Sequence, residues 1–217
     1  PDGTVTLLEG SVDLSGTRTT VAMQMAETLG IAVSEVYPIV PDTDAVGMTG
    51  TSGGSRTAFA TGWAAHEAAV DMLEQMRERL ARIWEVGEVA FEDGKFAAEG
   101  KQVDFKEAAA LLAGRNILVT GRASVSPAGI GPATTMHLAD VEVDVETGKI
   151  EILRYTAVQD AGTAVHPEIV EGQIQGGTVQ GIGWALNEEY WYDENGRMRN
   201  DSLLDYRMPT AVDLPMI

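Results

Sequence analysis

The chain has 217 residues, enough for one large domain or two small ones, and its 44% apolar and 22% charged content is that of ordinary globular sequence. A net charge of −18 argues against nucleic acid and against an anionic membrane face as partners, because both reward basic surfaces. With no cysteine, these residues hold no disulfide, thiolate zinc site or cysteine-ligated iron–sulfur cluster. The three histidines, His66, His137 and His166, are too scattered for a metal cluster and read as structural. No run approaches the ~18 apolar residues of a membrane span and no basic leader precedes an apolar block, so a cytoplasmic location is expected. The ends, Pro1 and an Ile217 just past Asp213-Leu214-Pro215, read as those of a piece cut from a longer protein.

In chain order, Thr4 to Glu9 alternates between glycines and reads as a strand. A small-residue loop from Gly10 to Thr19 leads into a short helix, with Val21, Met25 and Leu29 on one face and Gly30 closing it. Glu35 to Val40 is a second strand. Phe59, Trp63, Val70, Leu73, Leu80 and Trp84 fit one face of a long helix from about Ser55 to Trp84. Ala90 to Ala98 centres on Asp93-Gly94, a hairpin signal. Phe105 to Ala113 reads as a helix and Asn116 to Ser124 as a strand. His137 to Glu146, Thr147-Gly148-Lys149 and Ile150 to Gln159 form the clearest hairpin, with Val141, Val143 and Val145 set against Glu142, Asp144 and Glu146, so that one face is expected to be buried. A glycine-rich helix follows Pro167, and Asp193-Glu194-Asn195-Gly196 sits between the arms of a last hairpin. Strands and helices mix without strict alternation, which predicts an α+β fold of mixed sheets with a long helix and a glycine-rich helix, in a single domain over 1–217.

Two segments carry chemistry. From Gly172 to Trp184 five glycines interrupt an otherwise helical run, although each costs roughly 1 kcal/mol against alanine in a helix interior. Gln173 and Gln180 lie two turns apart on one face, separated by about 10 Å of rise, with Gly176 and Gly177 between them. Uncharged amides beside a strip without side chains suit the edge of a flat heterocycle; close packing of the helix on a sheet would use the same glycines. The second segment, Gly53-Gly54-Ser55-Arg56-Thr57, runs into the long helix. Free backbone N–H groups at a helix start bind anions with help from the dipole, and Arg56 can fork onto phosphate oxygens. An ordinary cap by Ser52 or Ser55 is the competing explanation. The loop is neither a Walker A sequence nor a G-x-G-x-x-G fingerprint. The Gly10 to Thr19 loop, with Ser15 and Gly16, is a third candidate whose alternative is a plain strand-to-helix connection. A serine nucleophile is not indicated, since no G-x-S-x-G elbow occurs.

In this order the three elements resemble the molybdenum-cofactor-binding region of the xanthine dehydrogenase / aldehyde oxidase family, in the large subunit. The resemblance covers essentially the whole chain. It rests most on Val170-Glu171-Gly172-Gln173 through Gln180-Gly181-Ile182-Gly183, preceded by Asp160-Ala161-Gly162 and His166-Pro167. Gly53-Gly54-Ser55-Arg56-Thr57 and Leu204-Asp205-Tyr206-Arg207-Met208-Pro209 are typical of bacterial members. It implies a domain of molybdenum-cofactor-binding type that serves hydroxylation of aldehydes or N-heterocycles such as xanthine. The molybdenum would be held by molybdopterin, in bacteria often as the cytosine dinucleotide, with iron–sulfur clusters and FAD on other domains or subunits. The implied partners are the rest of the large subunit, the iron–sulfur and flavin parts, and a small aldehyde or heterocycle. Gly53, Gly54, Ser55 and Thr57 resemble the loop that holds the phosphate region of the cofactor, and Arg56 joins them on charge grounds alone. Gln180 resembles the glutamine that bonds the pterin ring, and Gln173 shares its face.

Two departures stand out. Where the family shows Gly-Gln-Gly in the first loop, this chain has Leu14-Ser15-Gly16, so that contact is lost or made through water. The family's Gly-x-Gly-Glu, which carries the general base, does not occur; Glu88 in Val86-Gly87-Glu88 comes too early, and the base is expected beyond Ile217. General-base help is typically worth about 10²–10⁴-fold, so the isolated 217 residues are expected to be inactive. The alternative is a non-catalytic scaffold or subunit-interaction domain that has lost the cofactor.

Overall fold

A computed structural model describes every residue except Pro1, Ala128 and Ile130. Where the sequence reads as one domain, internal contacts divide the chain into two compact units, Pro1–Ile130 and Gly131–Ile217. Helices and short strands mix in open sheets, the α+β class expected.

The first unit begins with a β-α-β turn of chain. Strand β1 (Val5–Leu8) leads through helix α1 (Thr17–Leu29) to β2 (Val36–Ile39), which pairs parallel to β1 from Val5↔Val36 to Leu8↔Ile39. Gly30 closes α1 in the left-handed region at φ 64°, and Ile31 N–H donates back to the Ala26 carbonyl at 3.1 Å, a left-handed C-terminal cap. Helix α2 spans Thr57–Trp84. Strands β3 (Ala90–Glu92), β4 (Lys95–Ala98) and β5 (Lys101–Asp104) make an antiparallel meander, whose first turn, Asp93-Gly94, has both residues at positive φ, as a two-residue hairpin with the strands' twist requires. Helix α3 (Phe105–Ala113) starts at a capping box: Glu107 N–H donates to Asp104 at 2.7 Å and Asp104 N–H to Glu107 at 3.0 Å.

These elements enclose a core of Val5, Leu7, Val21, Leu29, Leu73, Met76, Leu80, Phe96 and Leu112 with their neighbours. The buried face of α2 differs from the one its large residues mark out. Phe59, Trp63 and Val70 are exposed, whereas Ala60, Gly62, Ala65 and Ala69 are buried ahead of Leu73, Met76 and Leu80. The cause is close approach by α1. The Gln24 amide lies where a Cβ on Gly62 would stand and donates to the Ala58 carbonyl at 3.1 Å, while Thr28 Oγ1 and His66 Nδ1 are 2.9 Å apart. Small residues are what such a crossing admits.

The strand expected over Asn116 to Ser124 is not formed. The segment begins with Asn116 in a left-handed turn, continues without regular structure and bonds to side chains of α2: Gln75 donates to the Thr120 carbonyl and Arg122 N–H donates to Asp71, each at 2.9 Å. Gly121 rests against the Ala68 carbonyl.

The second unit contains a long hairpin, β6 (Thr135–Val143) and β7 (Ile150–Gln159), and helix α4 (Pro167–Leu186). The last predicted hairpin shrinks to one bridge, Tyr192↔Met198. Ile182, 7% exposed, is the one buried hydrophobic side chain of this unit among the described residues. The face of Val141 and Val143, expected to be covered, is 50% and 49% exposed, and Val145 at the tip is 92% exposed.

Candidate functional site

Parallel pairing of β1 and β2 brings the two candidate loops to one edge, because the chain leaves both strands in the same direction. The loop after β1 carries Ser15 and Gly16; the loop after β2 leads to Gly53–Thr57. Glu9 N–H donates to the Ile39 carbonyl at 3.1 Å, and Thr49 Oγ1 donates to the Gly10 carbonyl at 2.9 Å, which ties the second loop to the first. The outer carboxyl ends of parallel strands are where ligands gather in α/β units.

The two loops enter their helices alike but finish differently. Ser15 and Gly16 precede α1 at φ 54° and 71°; Gly54 and Ser55 stand before α2 at φ 65° and 56°. At α1 the Asp13 carboxylate accepts from Arg18 N–H at 3.0 Å and from its guanidinium at 3.0 and 2.9 Å. The Arg18 backbone N–H, and then its side chain, hold the Asp13 carboxyl below the usual carboxylate range. That helix start is occupied by an anion of its own.

Helix α2 has none. Its N-cap, Arg56, makes no side-chain capping bond and the first turn holds no acidic residue. The first intrahelical bond is Ala60 N–H to the Arg56 carbonyl at 2.7 Å, so the N–H groups of Thr57, Ala58 and Phe59 precede it. Four such donors open every α-helix, and they take side chains, water or ligands as acceptors. A left-handed Ser55 followed by a right-handed Arg56 turns successive N–H groups inward, the concavity that binds anions. Ser55 is not glycine, and the left-handed region costs such a residue about 1–2 kcal/mol. The proposed side-chain caps by Ser52 or Ser55 are not made among the described residues.

A shallow cavity of about 220 Å³ opens over this start, lined by Gly53, Gly54, Arg56, Phe59, Pro127 and Gly129. Arg56 folds its guanidinium over Gly50 and reaches the Thr51 carbonyl at 3.5 Å; among the described residues no carboxylate pairs with it. Gly54 is explained by its positive φ. Gly53 is not, and a Cβ there would meet nothing nearer than Thr51 Cγ2 at 3.9 Å. Glycine at 53 keeps free a space that the chain itself does not use. From sequence Phe59 reads only as part of the apolar face of the long helix, and Pro127 and Gly129 carry no mark at all. Pro127 and Gly129 lie some seventy residues on, and no local spacing marks them.

On α4 the five glycines divide. A Cβ on Gly172, Gly176, Gly177 or Gly181 would meet no atom within 4 Å, whereas one on Gly183 would run into Glu188 and stand 2.7 Å from Pro209. Close packing therefore explains Gly183 alone. The other four meet open space, and of these Gly176 and Gly177 lie between Gln173 and Gln180 on one face; both glutamines are exposed and have no hydrogen-bond partner among the described residues, while Gln175, off that face, donates to the Ile217 carbonyl at 3.1 Å. Past the helix, Tyr206 of the Leu-Asp-Tyr-Arg string donates to Glu188 at 2.7 Å and stacks on Tyr190 at 5.5 Å. The Glu188 bond pushes its phenol up to about 12. Glu88 is a surface residue paired with Arg77 at 3.1 Å, with no place in any cavity described here.

An uncapped helix start with a free arginine suits a phosphate, and an open glycine–amide strip suits a flat polar ring. Each feature stands in its own unit of the chain. A family model described as "Molybdopterin cofactor-binding domain" matches residues 1–215. The chain belongs to that family. It is 32% identical to the putative xanthine dehydrogenase molybdenum-binding subunit of Escherichia coli (strain K12), over 100% of this chain and 30% of that protein. It is 30% identical to the 6-hydroxypseudooxynicotine dehydrogenase complex subunit gamma of Paenarthrobacter nicotinovorans, over 99% of this chain and 29% of that protein. Among solved structures it resembles the Cu,Mo-CO dehydrogenase in its carbon monoxide reduced state, with a TM-score of 0.83 and 27% identity over 96% of this chain and 28% of that chain. The chain thus spans about 30% of the length of the curated relatives it matches. No helix among the described residues is long and apolar enough to cross a membrane.

Proposed function

We propose that these residues are the molybdopterin-binding part of a molybdenum hydroxylase large subunit that acts on an aldehyde or an N-heterocycle, with iron–sulfur clusters and flavin on other domains or subunits. The observation that carries the reading is the start of α2, which has no capping side chain, no acidic residue in its first turn and an arginine without a carboxylate. The N–H groups of Thr57, Ala58 and Phe59 take the anionic end of the cofactor, the hydroxyls of Ser55 and Thr57 add donors, and Arg56 forks onto phosphate oxygens. Gly53 and Gly54 let the backbone come close. On α4, Gln180 reads the pterin edge, Gln173 supports it, and the open glycines admit the ring. Ser15 and Gly16 reach the cofactor through water, because α1 already spends its first turn on Asp13. When bound, the molybdenum centre supplies the redox chemistry of hydroxylation. The general base lies outside these residues, so the 217-residue piece alone does not turn over. The bacterial-type strings favour the cytosine dinucleotide.

The test is the molybdenum and pterin content of the full-length protein. Arg56→Ala is expected to lower both by about 10-fold, the effect of losing roughly 1.5 kcal/mol from a charge-assisted bond, with the melting temperature of the cofactor-stripped protein unchanged. Full loading of the variant would remove the phosphate role from Arg56, and a wild-type protein free of molybdenum and pterin would favour the scaffold alternative.

A further inference from the structure

Four asparagines occur in the chain, and Asn195 alone is followed by glycine; Asn116, Asn187 and Asn200 precede Ile117, Glu188 and Asp201. The distinction is chemical. The backbone nitrogen that follows an asparagine is one ring closure away from its side-chain Cγ, and a Cβ on the following residue hinders that closure. Gly196 has no Cβ. Asn116 and Asn187 are exposed as Asn195 is, so the next residue, not exposure, sets Asn195 apart from them. Asn200 is held at both ends of its amide: it is 9% exposed, its Oδ1 accepts from Trp191 N–H at 3.0 Å, and its Nδ2 donates to the Glu189 carbonyl.

The turn that carries Asn195 is lightly tied. Gly196, left-handed at φ 76°, donates its N–H to the Asp193 carbonyl at 2.9 Å. Asp193 Oδ1 accepts from the N–H groups of Asn195 and Arg197 at 2.9 and 3.0 Å, and Asp193 N–H donates to the Arg197 carbonyl at 2.9 Å. Beyond these the arms share the Tyr192↔Met198 bridge and the bond from Arg199 N–H to the Trp191 carbonyl at 2.8 Å. The side-chain amide of Asn195 has no hydrogen-bond partner among the described residues. An exposed loop tip with so few ties opens at low free energy, without the rest of the fold, and opening frees the Gly196 N–H from Asp193.

From this turn we propose that Asn195 is a site of spontaneous modification, converted without an enzyme to isoaspartate and aspartate. The Gly196 nitrogen gives its proton to solvent and attacks Asn195 Cγ. The Cγ–Nδ2 bond breaks, and Nδ2 leaves as ammonia with a proton taken up from solvent. Water then opens the cyclic imide. Opening at the main-chain carbonyl of residue 195 leaves the chain running through the side chain, as isoaspartate; opening at Cγ gives aspartate. Nothing is oxidised or reduced: an amide and water become a carboxylate and ammonium. Either product adds a carboxylate beside Asp193 and Glu194, in a chain already at net charge −18. Isoaspartate also lengthens the main chain by a methylene, so the bonds between Asp193 and Arg197 no longer close in register. The step uses Asn195, Gly196 and water alone, and is independent of the cofactor reading.

The test ages the full-length protein in mildly alkaline buffer and follows each asparagine by peptide mapping, with electron-transfer fragmentation to separate isoaspartate from aspartate. Asn195 is expected to convert at least about 10-fold faster than Asn116, Asn187 or Asn200, a barrier lower by about 1.4 kcal/mol, with isoaspartate among the products. Conversion no faster than at the other three, or aspartate formed without isoaspartate, overturns the proposal. Isoelectric focusing of Asn195→Ser, aged in parallel, gives a second reading. The wild-type protein gains a more acidic species that the variant lacks; the same species arising at the same rate in the variant overturns the assignment to Asn195.

Discussion

At the scale of single residues, Tyr206 shows how a side chain off the cofactor loop is held. Its hydroxyl donates to Glu188, and the bond raises the phenol to about 12 from an ordinary 10.0. A raised folded-state value means that the protonated form is favoured in the native state. The contact's contribution is thus fully present below pH 10 and is lost as pH rises from about 10 toward about 12. Ultraviolet titration should find a tyrosine that ionises near about 12, and Tyr206→Phe should remove that step; a variant with an unchanged titration curve would contradict the assignment. Glycines also differ at this scale. Gly54 answers to its φ and Gly183 to its neighbours, whereas Gly53 answers to neither. Only the last kind leaves open space that no φ or neighbour explains, and sequence alone cannot tell the three apart, since each is written with the same letter.

At the scale of elements, helix starts and strips decide the reading. Both α1 and α2 follow a left-handed pair, Ser15-Gly16 and Gly54-Ser55, but the first helix has the Asp13 carboxylate on its first turn and the second has no carboxylate there. Asp13→Ala is expected to destabilise the first unit by about 1 kcal/mol, as loss of a helix cap does, while leaving cofactor content unaltered; thermal melting and metal analysis of the same sample check both halves. On α4, Gly183→Ala must displace Glu188 or Pro209 and should cost about 1–3 kcal/mol. Gly177→Leu meets open space; it should leave stability equal or higher by roughly 1 kcal/mol, since glycine is a poor helix former, yet abolish cofactor loading. Equal loading in Gly177→Leu would show that the strip faces no ligand. Long periodic elements were legible from sequence: α1 with its closing Gly30, the Asp93-Gly94 turn, the β6–β7 hairpin and α4 all lie where spacing put them. The face of α2 was not, because large residues mark a hydrophobic stripe while close helix crossing selects small ones, Ala60, Gly62, Ala65 and Ala69. The segment at Asn116–Ser124 was read as a strand because sequence shows β-propensity but not whether a partner strand exists; its bonds go to Gln75 and Asp71 instead.

At the scale of the whole chain, the two units differ in how completely they satisfy themselves. The first encloses Leu29, Leu80 and Phe96 without exposed surface, so Phe96→Ala should cost about 3–5 kcal/mol, measurable by denaturant unfolding of the full-length protein. The second buries Ile182 and presents Trp184, Tyr190, Trp191 and the valines of β6 to the surface. That contrast was not legible in composition, because apolar content counts residues and not the surfaces that receive them. The candidate loop was legible as the approach to a helix, Gly53 to Thr57, but the cavity walls at Pro127 and Gly129 come from tertiary packing alone.

The central claim is that the first backbone N–H groups of α2 hold the anionic end of the cofactor. Amide exchange over Gly53–Ala60, compared between cofactor-loaded and cofactor-stripped full-length protein, tests it most directly. Protection of these amides by about 10-fold or more in the loaded form, with the start of α1 unaffected, is the predicted result. Identical exchange in the two forms would contradict it.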